Sequence, residues 1–213
     1  SGALTILQTV PGRSTAGDSL IRSGDIGYSG EWLPDGSAII TTGIDLKPES
    51  RGDIAIIRNR GRGPVEALVA TPFEESYPSV SRDGKWLAYT SDQTGEIEVY
   101  IRSLSGDADE LRVSTAGGSE PMWGPNGREL FYREQQGSKT GLVAVDLALG
   151  PSPKVTGRRV LFDATDVATS SPHTNYDVSP DGKYFAMVKR NASGRIVVIQ
   201  HLPALIKRLE RRD

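Results

Sequence analysis

Short runs of apolar residues alternate with polar ones along most of the chain, separated by Gly, Pro, Asp and Asn. Four of these segments superpose on an Asp-Gly or Asn-Gly dipeptide, namely Asp35-Gly36, Asp83-Gly84, Asn126-Gly127 and Asp181-Gly182. A large apolar residue stands three positions before each Asp or Asn, and another stands four positions after it. These residues are, in pairs, Trp32 and Ile39, Val80 and Leu87, Trp123 and Leu130, and Val178 and Phe185. The pattern predicts four β-hairpins with tight two-residue turns of type I′, which Asp-Gly and Asn-Gly favour.

Further apolar runs extend each hairpin into a longer unit. A third strand is predicted in every repeat, at Ile54–Ile57, Ile97–Ile101, Leu142–Val145 and Ile196–Ile199. A fourth is predicted in three of them, at Val65–Val69, Leu111–Val113 and Val160–Phe162. The repeats recur at intervals of 48, 43 and 55 residues, which is typical of propeller blades. We therefore predict an all-β protein, a β-propeller of four-stranded antiparallel blades, either complete with four blades or part of a larger ring.

The predicted blades fill most of the 213 residues as one propeller domain or propeller fragment, 1–213. Their approximate limits are 20–70, 71–115, 116–163 and 172–200. An additional strand, Leu4–Val10, is expected to pair as an outer strand, either with residues 195–200 of the last blade or with a partner chain. Leu202, Leu205, Ile206 and Leu209 share one face of a predicted C-terminal helix over 202–211. An incomplete ring would leave apolar sheet faces uncovered, so a partner is then expected.

Composition narrows the classes of function. The chain has no cysteine, which excludes disulfides, thiolate zinc sites and cysteine nucleophiles. Its formal net charge is −2, and this near-neutral balance argues against general nucleic-acid binding. No run of residues approaches the length and apolarity of a membrane-spanning helix, so we expect membrane association only through a parent protein.

Five segments carry a resemblance to a known family. They are Glu96–Arg102, Ser114–Trp123 with Arg128–Arg133, and Asn175–Lys183 followed by Arg195–Ile199. These residues resemble the TolB-type, WD-repeat-like β-propeller, in particular the C-terminal extracytoplasmic propeller of bacterial receptor-type serine/threonine protein kinases. The resemblance covers about residues 28 to 210 and implies a binding or sensor module in the bacterial periplasm or on the extracytoplasmic face. Relatives usually have six or more blades, whereas four repeats are present here.

Motifs for catalysis are lacking. The sequence has neither the glycine-rich loop and catalytic motifs of a kinase nor the Gly-x-Ser-x-Gly elbow of a hydrolase, and its two histidines are His173 and His201. We therefore expect no catalytic residue and no cofactor in this chain. The three tryptophans, Trp32, Trp86 and Trp123, are expected to pack in the core.

One set of loop residues is a candidate ligand site. The connections that precede the innermost strands open at the same end of a propeller channel as those between the second and third strands. The candidates at this mouth are Glu74, Glu75, Asp92, Glu120, Asp166 and His173. Their oxygen atoms suit Ca²⁺ or a cationic peptide, and a solvated rim of carboxylates is the alternative.

The leading hypothesis is a non-catalytic propeller that binds a protein or peptide ligand, or a second copy of itself, as the sensor domain of a kinase. A TolB-like periplasmic protein-interaction component is the alternative. A third hypothesis, the propeller of a prolyl-oligopeptidase-like hydrolase, requires a downstream hydrolase domain.

Overall fold

The computed structural model describes residues 29–44, 46–169 and 174–188, together with the backbone of three short strand segments, Leu7–Gln8, Asp18–Ser19 and Ile196–Ile199. The described chain is all-β, with antiparallel meanders that follow one another along the sequence. Three of these sheets have four strands each, and a further one has three described strands. The prediction of a β-propeller built from four-stranded blades is confirmed.

The first two blades contain eight strands. Blade 1 contains β3 (Ser29–Trp32), β4 (Ile39–Ile44), β5 (Asp53–Ile57) and β6 (Val65–Val69). Blade 2 contains β7 (Glu75–Val80), β8 (Trp86–Ser91), β9 (Glu98–Ser103) and β10 (Leu111–Arg112). One helical turn, α1 (Arg58–Gly61), joins β5 to β6, and its Asn59 and Arg60 have left-handed backbone angles.

The other two blades follow the same order. Blade 3 contains β11 (Ser119–Trp123), β12 (Glu129–Gln136), β13 (Lys139–Ala148) and β14 (Lys154–Asp163). Blade 4 contains β15 (Tyr176–Val178), β16 (Phe185–Val188) and β17 (Ile196–Ile199). Neighbours in sequence pair in register, so that Trp123 lies opposite Leu130, and Val178 lies opposite Phe185. The apolar positions that define the sequence repeat are therefore cross-strand partners.

The hairpin turns differ from the predicted type I′. In the first, the N–H of Gly36 donates to the carbonyl of Leu33 at 2.8 Å, so Pro34 and Asp35 are the two central residues. Gly36 has a φ of +69°, whereas Asp35 is not among the residues with positive φ. This is a type I turn followed by a left-handed glycine. Pro34 suits the first central position of this turn because proline holds φ near −65°. Proline is not required, since blade 2 forms the same bond from Gly84 to the carbonyl of Ser81 at 2.8 Å with Arg82 at that position. The feature that all four turns share is the side-chain hydrogen bond of the Asp or Asn.

The Asp or Asn of each turn has a different role from the predicted one. Its side-chain oxygen accepts the backbone N–H of the residue two positions ahead. The four acceptor–donor pairs are Asp35 with Ser37 at 2.9 Å, Asp83 with Lys85 at 3.1 Å, Asn126 with Arg128 at 2.9 Å, and Asp181 with Lys183 at 3.1 Å. The dipeptide is therefore explained by one side-chain hydrogen bond and one left-handed glycine.

Apolar side chains fill the space between successive blades in three clusters. Ile40 and Leu87 belong to the cluster between blades 1 and 2, and Trp86 and Leu130 to the cluster between blades 2 and 3. Between blades 3 and 4, Phe131 and Phe185 meet edge to face, with ring centroids 4.9 Å apart. Trp86 and Trp123 are buried as expected, but Trp32 is 43% exposed and the expectation of core packing is wrong for it.

Of the two pairings predicted for the N-terminal strand, the one with residues 195–200 requires a correction, whereas the one with a partner chain stays a prediction. Leu7–Gln8 (β1) pairs antiparallel with Asp18–Ser19 (β2) in a separate two-stranded sheet. Among the strand residues that the structure describes, β17 pairs with β16 and not with β1. Pairing of β1 with β2 closes a much shorter loop than pairing of β1 with β17 would. The entropic cost of closing the loop is therefore smaller. The predicted helix over 202–211 lies outside the described residues.

The described part of the chain contains no helix that is both long and apolar enough to cross a membrane.

Candidate functional site

The innermost strands β3, β7, β11 and β15 line a common space, here called the channel, which has two different ends. We call the end with the Asp-Gly and Asn-Gly turns the turn end. The opposite end, where β7 and β11 begin and where β4 is joined to β5 and β8 to β9, is called the loop end. The predicted site residues belong to the loop end. Cavities of about 870 and 320 Å³ lie at the turn end, and one of about 270 Å³ lies at the loop end beside Ser119 and Arg133.

At the loop end, Glu74 and Asp92 lie together. The backbone N–H of Glu74 donates to Asp92 Oδ1 at 3.0 Å, and Arg51 Nη2 forms an ion pair with Asp92 Oδ2 at 2.6 Å. Arg51 comes from blade 1 and Asp92 from blade 2, so this pair bridges neighbouring blades. The side chain of Glu74 is exposed.

Glu75 follows directly but is turned into the protein, where it is 1% exposed. Its carboxylate accepts the N–H of Thr71 at 3.3 Å and the hydroxyls of Thr71 and Ser91, the latter at 3.4 Å. Burial raises the pKa of Glu75, and the nearby charge of Asp53 acts in the same direction. Through these hydrogen bonds, the carboxylate of Glu75 holds the segment before β7 against blade 2.

Glu120 is also buried, in a network that joins blades 3 and 4. Its Oε1 lies 2.9 Å from Nη1 of Arg133, and its Oε2 accepts the N–H of Asn175 at 2.7 Å. The Tyr176 hydroxyl donates to the carbonyl of Glu120 at 2.7 Å. A β-bulge aims the carboxylate inward, since the pairing of β11 with β12 shifts between Ser119 and Met122 and Glu120 has a φ of +53°.

The remaining predicted residues are placed differently. Asp166 is exposed in the connection after β14. His173 lies outside the described residues. Among the side chains that the structure describes, no three or more His, Cys, Asp and Glu residues are grouped so as to hold a metal ion. Glu74, Glu75 and Asp92 are thus brought together at one loop, whereas Glu120 belongs to an interior network.

The turn end of the channel is an open cavity of about 320 Å³, which we call the channel cavity. It is lined by residues of all four blades. Glu31 of β3 reaches across to blade 2, where its Oε2 accepts the N–H of Val80 at 3.0 Å. Burial raises the pKa of Glu31 to about 7, although the hydrogen bond from Val80 acts in the opposite direction. A second acid, Asp177 of β15, lines the same cavity.

Hydrogen bonds between blades hold this end of the channel together. Trp123 Nε1 of blade 3 donates to the carbonyl of Ser79 in blade 2 at 3.1 Å. Arg82 Nη1 donates to the carbonyl of Pro180 in blade 4 at 3.4 Å. The turns also touch, since a Cβ added at Gly182 would lie 3.1 Å from Pro125 Cγ.

A second cavity of about 870 Å³ lies beside the channel, between blades 2 and 3. We call it the interblade groove. Its lining residues are Arg82, Asp83, Lys85, Trp86, Pro125, Asn126, Gly127, Arg128, Leu147, Ala148, Leu149 and Gly150. Arg82 and Pro125 line both the groove and the channel cavity, so the two spaces adjoin at these residues.

The residue before each turn dipeptide is a sign of this site in the sequence. Three of the four repeats place proline directly before the Asp or Asn of the turn, at Pro34, Pro125 and Pro180. Blade 2 has Arg82 there instead. A long cation in place of a turn-forming proline is a departure that the fold does not require. Glu31 and Asp177 also occupy equivalent positions, four residues before the turn, but nothing local indicates that both face the channel.

Comparison with solved structures supports the architecture. TolB from Acinetobacter baumannii superposes with a TM-score of 0.64 at 23% identity, over 87% of this chain and 43% of that chain. A TolB-type protein from Agrobacterium tumefaciens gives 0.62 at 15% identity, over 88% and 67%. A chain of a nidogen/laminin complex gives 0.59 at 12% identity, over 93% and 74%. The chain therefore has the TolB-type β-propeller fold and spans less than half the length of the Acinetobacter protein.

The same fold occurs in a mycobacterial enzyme. A puromycin-hydrolysing peptidase of Mycobacterium tuberculosis superposes with a TM-score of 0.56 at 19% identity, over 80% of this chain and 29% of that chain. No protein-family model and no curated protein matches the sequence. At these identities the likeness defines a fold that both binding proteins and enzymes use.

Proposed function

We propose that this chain is a non-catalytic propeller that binds a protein or peptide ligand at its turn end. The observation that carries the proposal is the junction at Arg82, where the channel cavity and the interblade groove adjoin. Together they form a concave surface that is lined by residues of all four blades and combines apolar walls with a few charged side chains. Surfaces of this composition are typical of binding sites, and the hydrogen bonds between blades hold this one in shape.

The loop end supports the proposal indirectly. Glu75 and Glu120 are predicted ligand contacts, yet their carboxylates accept hydrogen bonds from neighbouring backbone and side chains. Breaking these bonds would leave polar partners unsatisfied in the interior. Glu74, Asp92, Asp166 and His173 remain the candidates for a ligand at the loop end, with Ca²⁺ or a cationic peptide as the expected class.

The cellular role that we propose is the extracytoplasmic sensor domain of a bacterial receptor-type serine/threonine kinase. Its support is the resemblance of residues 96–133 and 175–199 to the propellers of those kinases. A TolB-like periplasmic interaction component is the alternative, favoured by the superposition on TolB. The reading frame that encodes the chain discriminates between them. An upstream kinase domain and membrane helix agree with the first, and a signal peptide without a kinase agrees with the second.

The binding function is tested with a displayed library of random linear peptides, selected on the purified chain. Hydrogen–deuterium exchange with a selected peptide should show protection in residues 79–86, 122–128 and 177–182. Protection confined to residues near Arg51, Glu74 and Asp92 would place the site at the loop end instead. A library without binders would contradict the proposed function.

A further inference from the structure

The interblade groove has an apolar floor and a cationic rim. Trp86 and Leu147 are buried side chains whose surfaces form part of its lining, and Leu149 adds a half-buried one. Arg82, Lys85 and Arg128 line the same space from the turns of blades 2 and 3, and all three are exposed. The groove therefore offers both apolar area and positive charge to a ligand.

The charged residues that line the groove, three cations and one acid, carry a net positive charge, of which the Asp107 carboxylate near Lys85 offsets a part. Asp83 is the one acidic residue among the lining residues described above, and its Oδ1 is occupied by the Ser81 hydroxyl at 2.6 Å and the N–H of Lys85 at 3.1 Å. In the part of the chain that the structure describes, no carboxylate lies within ion-pair distance of the Lys85 amine or the Arg128 guanidinium. The whole chain has a formal net charge of −2, so these cations create a local positive potential that is opposite in sign to the charge of the protein as a whole.

The groove is closed on one side and open toward the channel. Away from the channel, the connections β9–β10 and β13–β14 are bridged, since the N–H of Asp109 donates to the carbonyl of Pro151 at 2.8 Å and the Ser152 hydroxyl donates to Asp109 Oδ2 at 2.9 Å. Toward the channel it ends at Arg82. Beyond this residue the channel cavity carries the acids Glu31 and Asp177. Charge thus changes sign along the surface, from positive in the groove to negative in the channel.

From this geometry we infer that the interblade groove binds an acidic, apolar segment of a protein partner in extended conformation. The inference rests on the proposed function and adds the chemistry of the ligand. Apolar side chains of the segment pack on Trp86 and Leu147, and its carboxylates meet Lys85 and Arg128. A simple inorganic anion would use the charge but leave the apolar floor in contact with water, so a peptide uses more of the surface.

The inference is tested with three fluorescein-labelled hexapeptides, (Asp-Leu)3, (Asn-Leu)3 and (Lys-Leu)3, in anisotropy titrations at 50 and 200 mM NaCl. Successive side chains of an extended peptide point to opposite sides, so Leu can face the floor while the other residues stay near the rim. We expect (Asp-Leu)3 to bind at least tenfold more tightly than (Asn-Leu)3, with an affinity that falls with salt, and (Lys-Leu)3 not to bind. Binding should also change the fluorescence of Trp86, and Trp86→Phe should lose that change.

Charge reversal identifies the groove. Lys85→Glu and Arg128→Glu should each raise the Kd of (Asp-Leu)3 about five- to tenfold, whereas Arg112→Glu, an equal charge change on the exposed face of β10, should alter it less than twofold. Circular dichroism melts of the variants verify that they are folded. Equal binding of (Asp-Leu)3 and (Asn-Leu)3, or displacement of (Asp-Leu)3 by 10 mM phosphate, would overturn the inference.

The outcomes separate this inference from the proposed function. If library-selected peptides protect the turn end but show no preference for acidic residues, the binding function stands and the acidic ligand is wrong. If no peptide protects the turn end, both are wrong.

Discussion

Arg133 and Glu120 form an ion pair in the interior, with 2.9 Å between Arg133 Nη1 and Glu120 Oε1 and both side chains 3% exposed. The guanidinium also donates to the carbonyl of Ala168 at 2.9 Å and to those of Val167 and Ala164 at 3.3 and 3.4 Å. The Arg133 guanidinium of β12 therefore binds an acid of β11 and three carbonyl groups of the connection that leads to blade 4. Such a pair costs desolvation, but losing one partner costs more because the other charge stays buried.

We predict that Glu120→Gln lowers the free energy of unfolding by about 3–5 kcal/mol, because Arg133 is left as an uncompensated buried charge. Urea denaturation followed by circular dichroism measures this loss. Glu66→Gln is the matched control, since the Arg58–Glu66 pair has side chains that are 58% and 43% exposed and its loss should cost at most about 1 kcal/mol. Similar losses for the two variants would show that the buried pair has no special structural role.

The contact between the turns of blades 3 and 4 gives a second prediction. Gly182→Ala and Gly36→Ala both place a Cβ on a left-handed residue, with φ of +70° and +69°, which costs about 1–2 kcal/mol in each. At Gly182 the new Cβ also lies 3.1 Å from Pro125 Cγ, whereas at Gly36 it has no neighbour within 4 Å. Thermal and urea denaturation should therefore show Gly182→Ala to be the less stable variant by about 1 kcal/mol. Equal stabilities would mean that the turn shifts freely away from Pro125.

The raised pKa of Glu31 makes stability depend on pH in a defined direction. Its carboxyl group has a pKa of about 7 in the folded protein and an ordinary value of 4.5. Between these values the folded state binds more protons than the unfolded state, so the contribution of Glu31 is full below about pH 4.5 and is lost as the pH rises through 7. The expected loss is about 2–3 kcal/mol.

Glu31→Gln removes this titration while retaining an acceptor for the Val80 N–H. We expect the free energy of unfolding of the wild type, minus that of Glu31→Gln, to decrease between pH 5 and pH 8 in urea titrations. Taking the difference between the two proteins cancels the contribution of Glu75, whose pKa is also raised by burial. A difference that stays constant across this range would show that Glu31 is solvated in the channel.

Substitutions of exposed residues distinguish ligand binding at the turn end of the channel from ligand binding at the loop end. Glu74→Gln and Asp166→Asn alter predicted loop-end candidates without disturbing the networks of Glu75 and Glu120. If the ligand binds at the turn end, both variants should bind a library-selected peptide within twofold of the wild type, whereas Arg82→Gln should weaken binding about fivefold. Biolayer interferometry measures these affinities, and a larger effect of Glu74→Gln than of Arg82→Gln would favour the loop end.

The architecture follows from the sequence because its determinants are local. The turn dipeptides and the apolar residues that flank them lie within one hairpin, and they pair as the repeat predicts. The dipeptide alone does not predict the turn type, because the two central residues include the position before it, which is Pro34 in blade 1 and Arg82 in blade 2. The pairing of Leu7–Gln8 with Asp18–Ser19 does not follow from the sequence, because an apolar run indicates a strand but not which strand pairs with it.

The candidate site is less predictable, since its residues meet only in the folded ring. The sequence predicts Glu75 and Glu120 to be acidic loop residues beside the channel. No pattern near them in the sequence identifies Thr71, Ser91 or Arg133 as their partners. The groove is formed by two different blades, so no single repeat contains it. Arg82 is the exception, because its departure from the proline of the other repeats is visible in the sequence alone.

The carboxylate of Glu31 has a consequence for the solution behaviour of the protein. The N–H of Val80 that it accepts lies on the channel side of β7, at an edge where none of the described strands pairs with it. Free N–H groups at such an edge are templates on which strands of other molecules can assemble into aggregates. By accepting this N–H, blade 1 leaves one donor fewer at the inner edge of blade 2 for a strand of another molecule.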